Sequence, residues 1–324
     1  MEIHLITLAQ KEKEYDLSPD VIRHNLNLDF GSALGMIKCF FKTRRYMLNL
    51  KCDCYVGIDI FANIIVSSLS VFSKQKTIIS ERNAPKQVKI KGIMKLLRKV
   101  FYRFADCVVF QTEGAQNDSP KVVARKGVII PNPVKGDLPH NTAEKHTICA
   151  AGRLSEEKNY YLLVNAFQKI TNKHPEYTLS IFGQGVMENE LKAYVKSLGL
   201  YDRIIFEGYC PDVHERIKNA EIFVLSSNSE GLPNSLLEAM AMGFAVISTD
   251  CPPGGPRSLI DNGKNGILVP VGDEEAMANA MLSYIEDPEF RKKAGELAAE
   301  VNEKYSLEKI TAAWHNCIES VLNK

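Results

Sequence analysis

The feature that most constrains this chain is an alternation. Short runs rich in β-branched residues recur along its length, at Glu2–Leu8, Cys54–Ile58, Thr77–Ser80, Cys107–Gln111, Gly127–Ile130, Thr147–Ala151, Thr178–Phe182, Ile204–Glu207, Ile222–Ser226, Ala245–Thr249 and Gly266–Val269. Longer stretches with apolar residues at helical spacing lie between most of them, Tyr161–Ile170 being one. Strands alternating with helices build parallel sheets covered on both faces. The expected fold class is therefore α/β, and ligands of such sheets bind at the carboxyl ends of the strands.

Composition narrows the class of molecule. With 324 residues, 45% apolar and 24% charged, the chain is neither disordered, collagenous nor a coiled-coil rod. Eight scattered cysteines are too few for a disulfide scaffold, and the close pair Cys52 and Cys54 lacks partners at zinc-ligand spacing. No secretory signal opens the sequence. The longest uncharged stretch, Ile60–Phe72, is too short to span a bilayer and reads as a buried helix.

Charge is unevenly placed. Residues 1–137 carry a net +9 and residues 138–324 a net −8. The sign changes at the polar segment 134–146, which follows the turn Pro131-Asn132-Pro133. Two domains are expected, 1–137 and 138–324, with a final amphipathic helix over 307–322 that contains the only tryptophan, Trp314.

Four segments at strand ends carry candidate chemistry. In Gly152-Arg153-Leu154-Ser155-Glu156-Glu157-Lys158, the glycine permits a turn, and Arg153 and Lys158 supply two cations suited to a diphosphate. In Gly183-Gln184-Gly185, two glycines permit close backbone approach, without the full dinucleotide fingerprint. In the segment from Glu230 to Gly243, a loop passes Gly231, Leu232 and Pro233-Asn234 into a helix, so Glu230 lies in the loop and Glu238 on the helix. Free amides at that helix start suit negative charge. Taken alone, two glutamates at this spacing read as solvated carboxylates. The fourth segment, Asp250-Cys251-Pro252-Pro253-Gly254-Gly255-Pro256, is a rigid loop on the same expected rim.

Together these strings resemble glycosyltransferase family 4, retaining enzymes of the GT-B fold. The strings are GRLSEEKN, FGQG, EGLPNSLLEAMAMG, DCPPGG and NGILVPVGD, in the family's order and spacing, with ISERNAP (79–85) and IIPNPV (129–134) as weaker matches in the amino-terminal part. The resemblance implies two Rossmann-like parallel-sheet domains facing across a cleft, 138–324 binding a nucleotide sugar and 1–137 serving the acceptor, with the final helix crossing back to the first domain. It implies that Arg153 and Lys158 grip the donor diphosphate, that Glu238 holds the ribose hydroxyls, and that Glu230 lies by the transferred sugar. Gly231 and Leu232 match backbone positions near that sugar, and Gly152, Gly183 and Gly185 match donor-binding turns. A catalytic set of Glu230, Arg153 and Lys158 follows. No bound metal or other cofactor is implied, and the chain holds no D-x-D string.

The implied reaction is retaining transfer of a hexose or N-acetylhexosamine, UDP-linked, to a lipid-linked or polysaccharide acceptor, as in capsule or lipopolysaccharide assembly. Family members usually begin with a strand, a glycine-rich loop and a long helix. Here Met1 opens what matches the second strand, which implies an amino-terminal domain truncated at its start and a chain that binds donor better than it transfers sugar. Ser258 stands where many members carry glutamate, and the histidine common in the wider family has Arg82 and Asn83 at the comparable strand end. A non-catalytic nucleotide-sugar-binding subunit and a nicotinamide oxidoreductase are the rival readings.

One feature lies outside these motifs. From Lys86 to Arg103 there are seven basic residues and no acidic one, interleaved with Ile93, Leu96, Leu97, Val100, Phe101 and Phe104. A basic amphipathic helix of this kind suits an anionic membrane surface, with Lys95, Arg98 and Lys99 as contacts; an ordinary core-facing helix with a solvated basic side is the alternative. No nucleic-acid motif accompanies it. The expected location is the cytoplasm, peripheral on the inner face of the plasma membrane.

Overall fold

The computed structural model describes residues 2–9, 17–29, 31–73, 75–82 and 92–323. Twelve strands are present among them: β1 (Ile3–Thr7), β2 (Val21–Asn25), β3 (Cys54–Ile58), β4 (Lys76–Glu81), β5 (Cys107–Phe110), β6 (Gly127–Ile129), β7 (Lys145–Ala151), β8 (Thr178–Phe182), β9 (Ile204–Gly208), β10 (Ala220–Leu225), β11 (Ala245–Thr249) and β12 (Ile267–Val269). They form sheets of order β1-β2, β3-β4-β5-β6 and β12-β11-β10-β7-β8-β9. All eleven expected strands are found, and β2 is an addition.

The chain divides into two compact units. One holds Met1–Ser80, Ile90–Val108 and Ile318–Lys324; the other holds Glu81–Lys89 and Val109–Cys317. Residues 109–137, grouped with the first domain by charge, thus go with the second unit by compactness. The polar segment that follows is tied down rather than loose: the Val134 N–H donates to the Tyr305 carbonyl and the Asn141 N–H to the Met242 carbonyl, both at 2.8 Å.

In the first unit, β1 pairs with β2 and β3 with β4, both in parallel. The uncharged stretch is a helix, Ile60–Ser73, with Ile64, Ile65, Val66 and Leu69 buried. Its one amide, Asn63, donates through Nδ2 in the interior to the Ser80 carbonyl at 2.9 Å and the Tyr102 hydroxyl at 3.1 Å. Among the described residues no helix is long and apolar enough to cross a membrane.

The second unit is built on the six-stranded sheet, in which every neighbouring pair is parallel. Successive residues of a strand point to opposite faces, and two cores follow. Ile148, Ile222, Val224 and Ile247 pack on one face with the helices Tyr160–Thr171 and Glu274–Glu286. Cys149, Phe223, Leu225 and Val246 pack on the other with the helix Asn234–Ala241. A strand buried on both faces reads as a near-continuous apolar run, which is why Ile222–Leu225 of β10 and Ala245–Ile247 of β11 are so plain in the sequence. The helix Asn234–Ala241 stops where Gly243 takes a φ of 87°, and the Phe244 N–H turns back to the Ala239 carbonyl.

The sheet order places the functional rim. The chain runs outward from β7 through β8 to β9, then returns to the other side of β7 for β10 and continues to β11 and β12. The order reverses between β7 and β10. Loops leaving the carboxyl ends of strands on either side of such a reversal diverge and open a crevice.

Candidate active site

The loops after β7 and β10 meet at this reversal point. The β7 loop turns at Gly152, passes a short 3-10 segment Glu156–Lys158, and enters the next helix through Asn159, whose side chain caps the Leu162 N–H. Lys158 Nζ lies 2.5 Å from Glu230 Oε1, contributed by the β10 loop. Both side chains are shielded, Lys158 22% and Glu230 13% exposed. The same carboxylate oxygen accepts from Ser227 Oγ at 2.6 Å, and the Glu230 N–H donates to the Pro252 carbonyl at 3.0 Å. The buried Ser227 has its own carbonyl held by Thr249 Oγ1 at 2.5 Å. Further bonds stitch the two loops, Ser226 Oγ to the Lys158 carbonyl at 2.8 Å and the Asn228 N–H to the Glu157 carbonyl at 2.7 Å. The negative charge at Glu230 is felt nearby. Burial first and that carboxylate second push the Cys251 thiol up to about 12 and raise the Tyr160 hydroxyl. Neither is available as a thiolate or phenolate nucleophile at neutral pH.

Glu238 sits on the following helix. Its Oε2 lies 2.9 Å from His214 Nε2, on the short helix Val213–Ile217 after β9. Leu232 is a core side chain, 7% exposed, so only its backbone can face a ligand.

The glycines have a more specific role than the sequence conveys. A Cβ at Gly183 would stand 1.9 Å from the Gly152 carbonyl oxygen, and one at Gly185 would stand 2.1 Å from that of Leu154. These two residues let the β8 loop lie directly on the β7 loop, with the Leu154 N–H donating to the Gln184 carbonyl at 3.0 Å. Close approach here is backbone to backbone, and it fixes the loop that carries Lys158. Gly231 is similar: its missing side chain leaves room for the Arg82 carbonyl, 3.0 Å from the Cβ position.

Arg153 is exposed and makes no ion pair among the described residues, in contrast to Lys158. Arg82 donates to Asn132 Oδ1, whose amide nitrogen donates to Asn234 Oδ1 at 2.7 Å, and its guanidinium stands 5.8 Å from the centre of the Trp314 ring. Asn83, Ala84 and Pro85 of the ISERNAP string lie outside the described residues, as do Lys86, Lys89 and Lys91 of the basic stretch. The described part of that stretch is a helix, Gly92–Phe101, with no buried residue; Ile93, Leu96 and Val100 are exposed beside Lys95 and Lys99. Arg98 is half-buried, its guanidinium 5.3 Å from the Tyr102 ring centre.

Of the candidates read from the sequence, Lys158 and Glu230 come together, Glu238 lies on the following helix against His214, and Arg153 stands exposed; Ser227 and His214, which contact the two carboxylates, are not among those candidates. Ser227 follows the apolar run of β10, where a hydroxyl at a strand end is a detectable signal. His214 has none.

The site therefore pairs a shielded cation with a shielded carboxylate at a strand-order reversal, and the helix that follows the β10 loop carries a second carboxylate, Glu238. Residues 138–301 match the family of glycosyl transferases group 1. This is half of the chain, which belongs to that family and is a glycosyltransferase. An uncharacterized glycosyltransferase of Methanocaldococcus jannaschii is 28% identical, with 89% of this chain and 84% of that one covered. An N-acetylgalactosamine-N,N'-diacetylbacillosaminyl-diphospho-undecaprenol 4-alpha-N-acetylgalactosaminyltransferase of Campylobacter jejuni is also 28% identical, covering 90% and 84%. Among solved structures, Anabaena HepE in complex with UDP superposes with a TM-score of 0.81 at 18% identity, over 93% of this chain and 87% of that one. The fold is that of the GT-B glycosyltransferases, with two Rossmann-like domains.

Proposed function

We propose that this glycosyltransferase moves a hexose or N-acetylhexosamine from a UDP-sugar to a lipid-linked or polysaccharide acceptor, with retention of anomeric configuration. The observation that carries the reading is the Lys158–Glu230 pair at the reversal point, 2.5 Å long and shielded from water. Departure of a nucleoside diphosphate builds negative charge on the phosphate and positive charge on the sugar. A fixed cation and a fixed carboxylate side by side answer both, and they act strongly where water is scarce. Arg153, exposed in the same loop, supplies a second cation for the diphosphate. In this reading these side chains and the amides of the helix Asn234–Ala241 neutralise the diphosphate, and no metal takes that role. The Campylobacter relative, named for a diphospho-undecaprenol acceptor, and HepE, solved with UDP, support the choice of acceptor and donor class.

The test is a transfer assay with UDP-hexoses and UDP-N-acetylhexosamines against polyprenyl-diphosphate-linked sugars, with the product anomer read by NMR. An α-linked product from the α-linked donor is expected. A β-linked product overturns retention, and donor binding without transfer favours a non-catalytic binding subunit. Within the assay, Glu238→Gln is expected to raise the donor Kd by about tenfold or more, the loss of one hydrogen bond to a charged group. Glu230→Gln is expected to act mainly on kcat, since it faces charge that develops only during reaction. Unchanged kinetics in both folded variants reject the assignment.

The acceptor class implies work at a membrane surface, on the inner face of the plasma membrane. The helix Gly92–Phe101 suits that task, with exposed Ile93, Leu96 and Val100 beside Lys95, Arg98 and Lys99. Each basic residue near an anionic bilayer contributes about 1 kcal/mol, screened by salt. Reversing Lys95, Arg98 and Lys99 to glutamate is expected to abolish co-sedimentation with phosphatidylglycerol vesicles. Persistence of binding in the folded triple variant shows that another surface makes the contact.

A further inference from the structure

Glu238 has a partner that the proposed reaction leaves unexplained. His214 Nε2 lies 2.9 Å from Glu238 Oε2, and the two side chains are 14% and 27% exposed. A carboxylate only accepts, so Nε2 carries a proton whether the imidazole is neutral or charged. The contact thus occupies Oε2. Oε1 makes no hydrogen bond among the described residues. His214 and Glu238 stand on different elements, the short helix Val213–Ile217 after β9 and the helix Asn234–Ala241 after β10. Ile217 and Leu237 belong to the same buried cluster, so both elements are anchored in one core.

We infer that His214 is a positioning residue for the nucleotide ribose, holding the Glu238 carboxylate by one oxygen so that the other is presented to the sugar diol. This rests on the donor reading above and deepens it by naming the group that sets the ribose contact. The physical basis is preorganisation. A glutamate has three side-chain rotors, and a free one must be ordered when a ligand binds. A carboxylate already held by a shielded donor loses less freedom on binding. Its remaining oxygen also meets the ribose hydroxyls in one geometry. Without His214 the carboxylate could swing away, and the contact most weakened would be the one to the 2′- and 3′-hydroxyls. A role in stability alone would not distinguish between ribose and dideoxyribose.

The test is calorimetric titration of the full chain with UDP, GDP and ADP, each beside its 2′,3′-dideoxy counterpart. The preferred nucleotide is expected to bind more tightly than its dideoxy form. His214→Ala is expected to weaken binding of the ribonucleotide about tenfold and that of the dideoxynucleotide less than twofold, so that the preference shrinks. His214→Gln is expected to restore most of the preference, because its amide nitrogen can reach the place of Nε2. Should His214→Ala fail to fold, His214→Phe keeps a ring in place and removes the donor. Equal losses for both nucleotides, or no loss, overturn the inference. Glu238→Ala separates the levels. If it leaves the ribose preference intact, the ribose reading of Glu238 fails. If it abolishes the preference while the His214 variants keep it, only the positioning role fails. Binding of none of the nucleotides would remove the donor reading and this inference together.

Discussion

Lys158→Ala is expected to slow sugar transfer by about 10²–10³-fold, or ~2.7–4 kcal/mol of transition-state stabilisation, while the fold persists. The reason lies in where the ammonium stands. It reaches from the β7 loop across the strand-order reversal to Glu230 on the β10 loop, at 2.5 Å, with 22% of its own side chain exposed. In such partial shelter a charge acts through an effective dielectric well below that of water. Removing it has two consequences of the same sign. In the proposed reaction the departing diphosphate loses a fixed cation, and Glu230 keeps its hydrogen bond from Ser227 but loses its counter-charge, so it repels incoming phosphate. Because most of the negative charge appears as the bond to the sugar breaks, kcat should fall further than donor affinity. Lys158 closes a 3-10 turn that ends in Asn159, and its side chain is not part of the core, so far-UV circular dichroism should match wild type. Steady-state kinetics with the donor varied provide the measurement. A folded variant with kcat and donor affinity within about twofold of wild type would show that the pair does not serve the chemistry.

The sequence is most informative where one physical cause dominates. β10 and β11 are buried on both faces, and their apolar runs Ile222–Leu225 and Ala245–Ile247 are visible without any structure. The helix Ile60–Ser73 is legible for the same reason, including its Asn63, which finds partners in the interior. β2 is the counter-example. Its five residues, Val21–Asn25, follow Ser18-Pro19-Asp20 and include Arg23 and His24, so they carry almost no apolar signal. Only pairing with β1 makes them a strand. The candidate site residues divide in the same way. Lys158, Glu230 and Glu238 sit in loop-to-helix strings with local grammar. His214 is joined to Glu238 across 24 positions of chain, through a contact that exists only after β9 and β10 have been placed. Gly183 and Gly185 were legible as glycines at a strand end but not in their purpose. The atoms that would collide with a side chain there belong to another loop, around Gly152 and Leu154.

The largest stability loss is expected from Arg291→Ala, at the other end of the same sheet. Glu221 lies in β10, inside an otherwise apolar strand, and is 3% exposed. Its carboxylate is held by Arg291 Nη1 at 2.7 Å, by the Tyr177 hydroxyl and by His146 Nδ1 at 3.0 Å. Burial first, and the hydrogen bond to Glu221 second, raise the Tyr177 hydroxyl above its ordinary range, so it remains a donor. Arg291 supplies the neutralising charge and also donates to the Tyr284 carbonyl at 3.2 Å. Taking it away leaves a carboxylate that can neither reach water nor find another fixed cation, since His146 is 60% exposed. Breaking a buried pair from one side costs about 3–5 kcal/mol, which corresponds to a fall of roughly 6–20 °C in melting temperature for a domain of this size. Adding Glu221→Gln removes the stranded charge and should recover part of the loss, because a neutral amide is cheaper to bury than an unpaired carboxylate. Nucleotide binding well below the transition should be unaffected. Glu221 is near the start of β10 and Glu230 lies beyond its end, with about 13 Å of strand from Glu221 to Leu225 before the loop begins. Thermal melts of wild type, single and double variants decide the matter. An Arg291→Ala protein melting within a degree or two of wild type, or a double variant no more stable than the single one, would show that Glu221 does not depend on this partner.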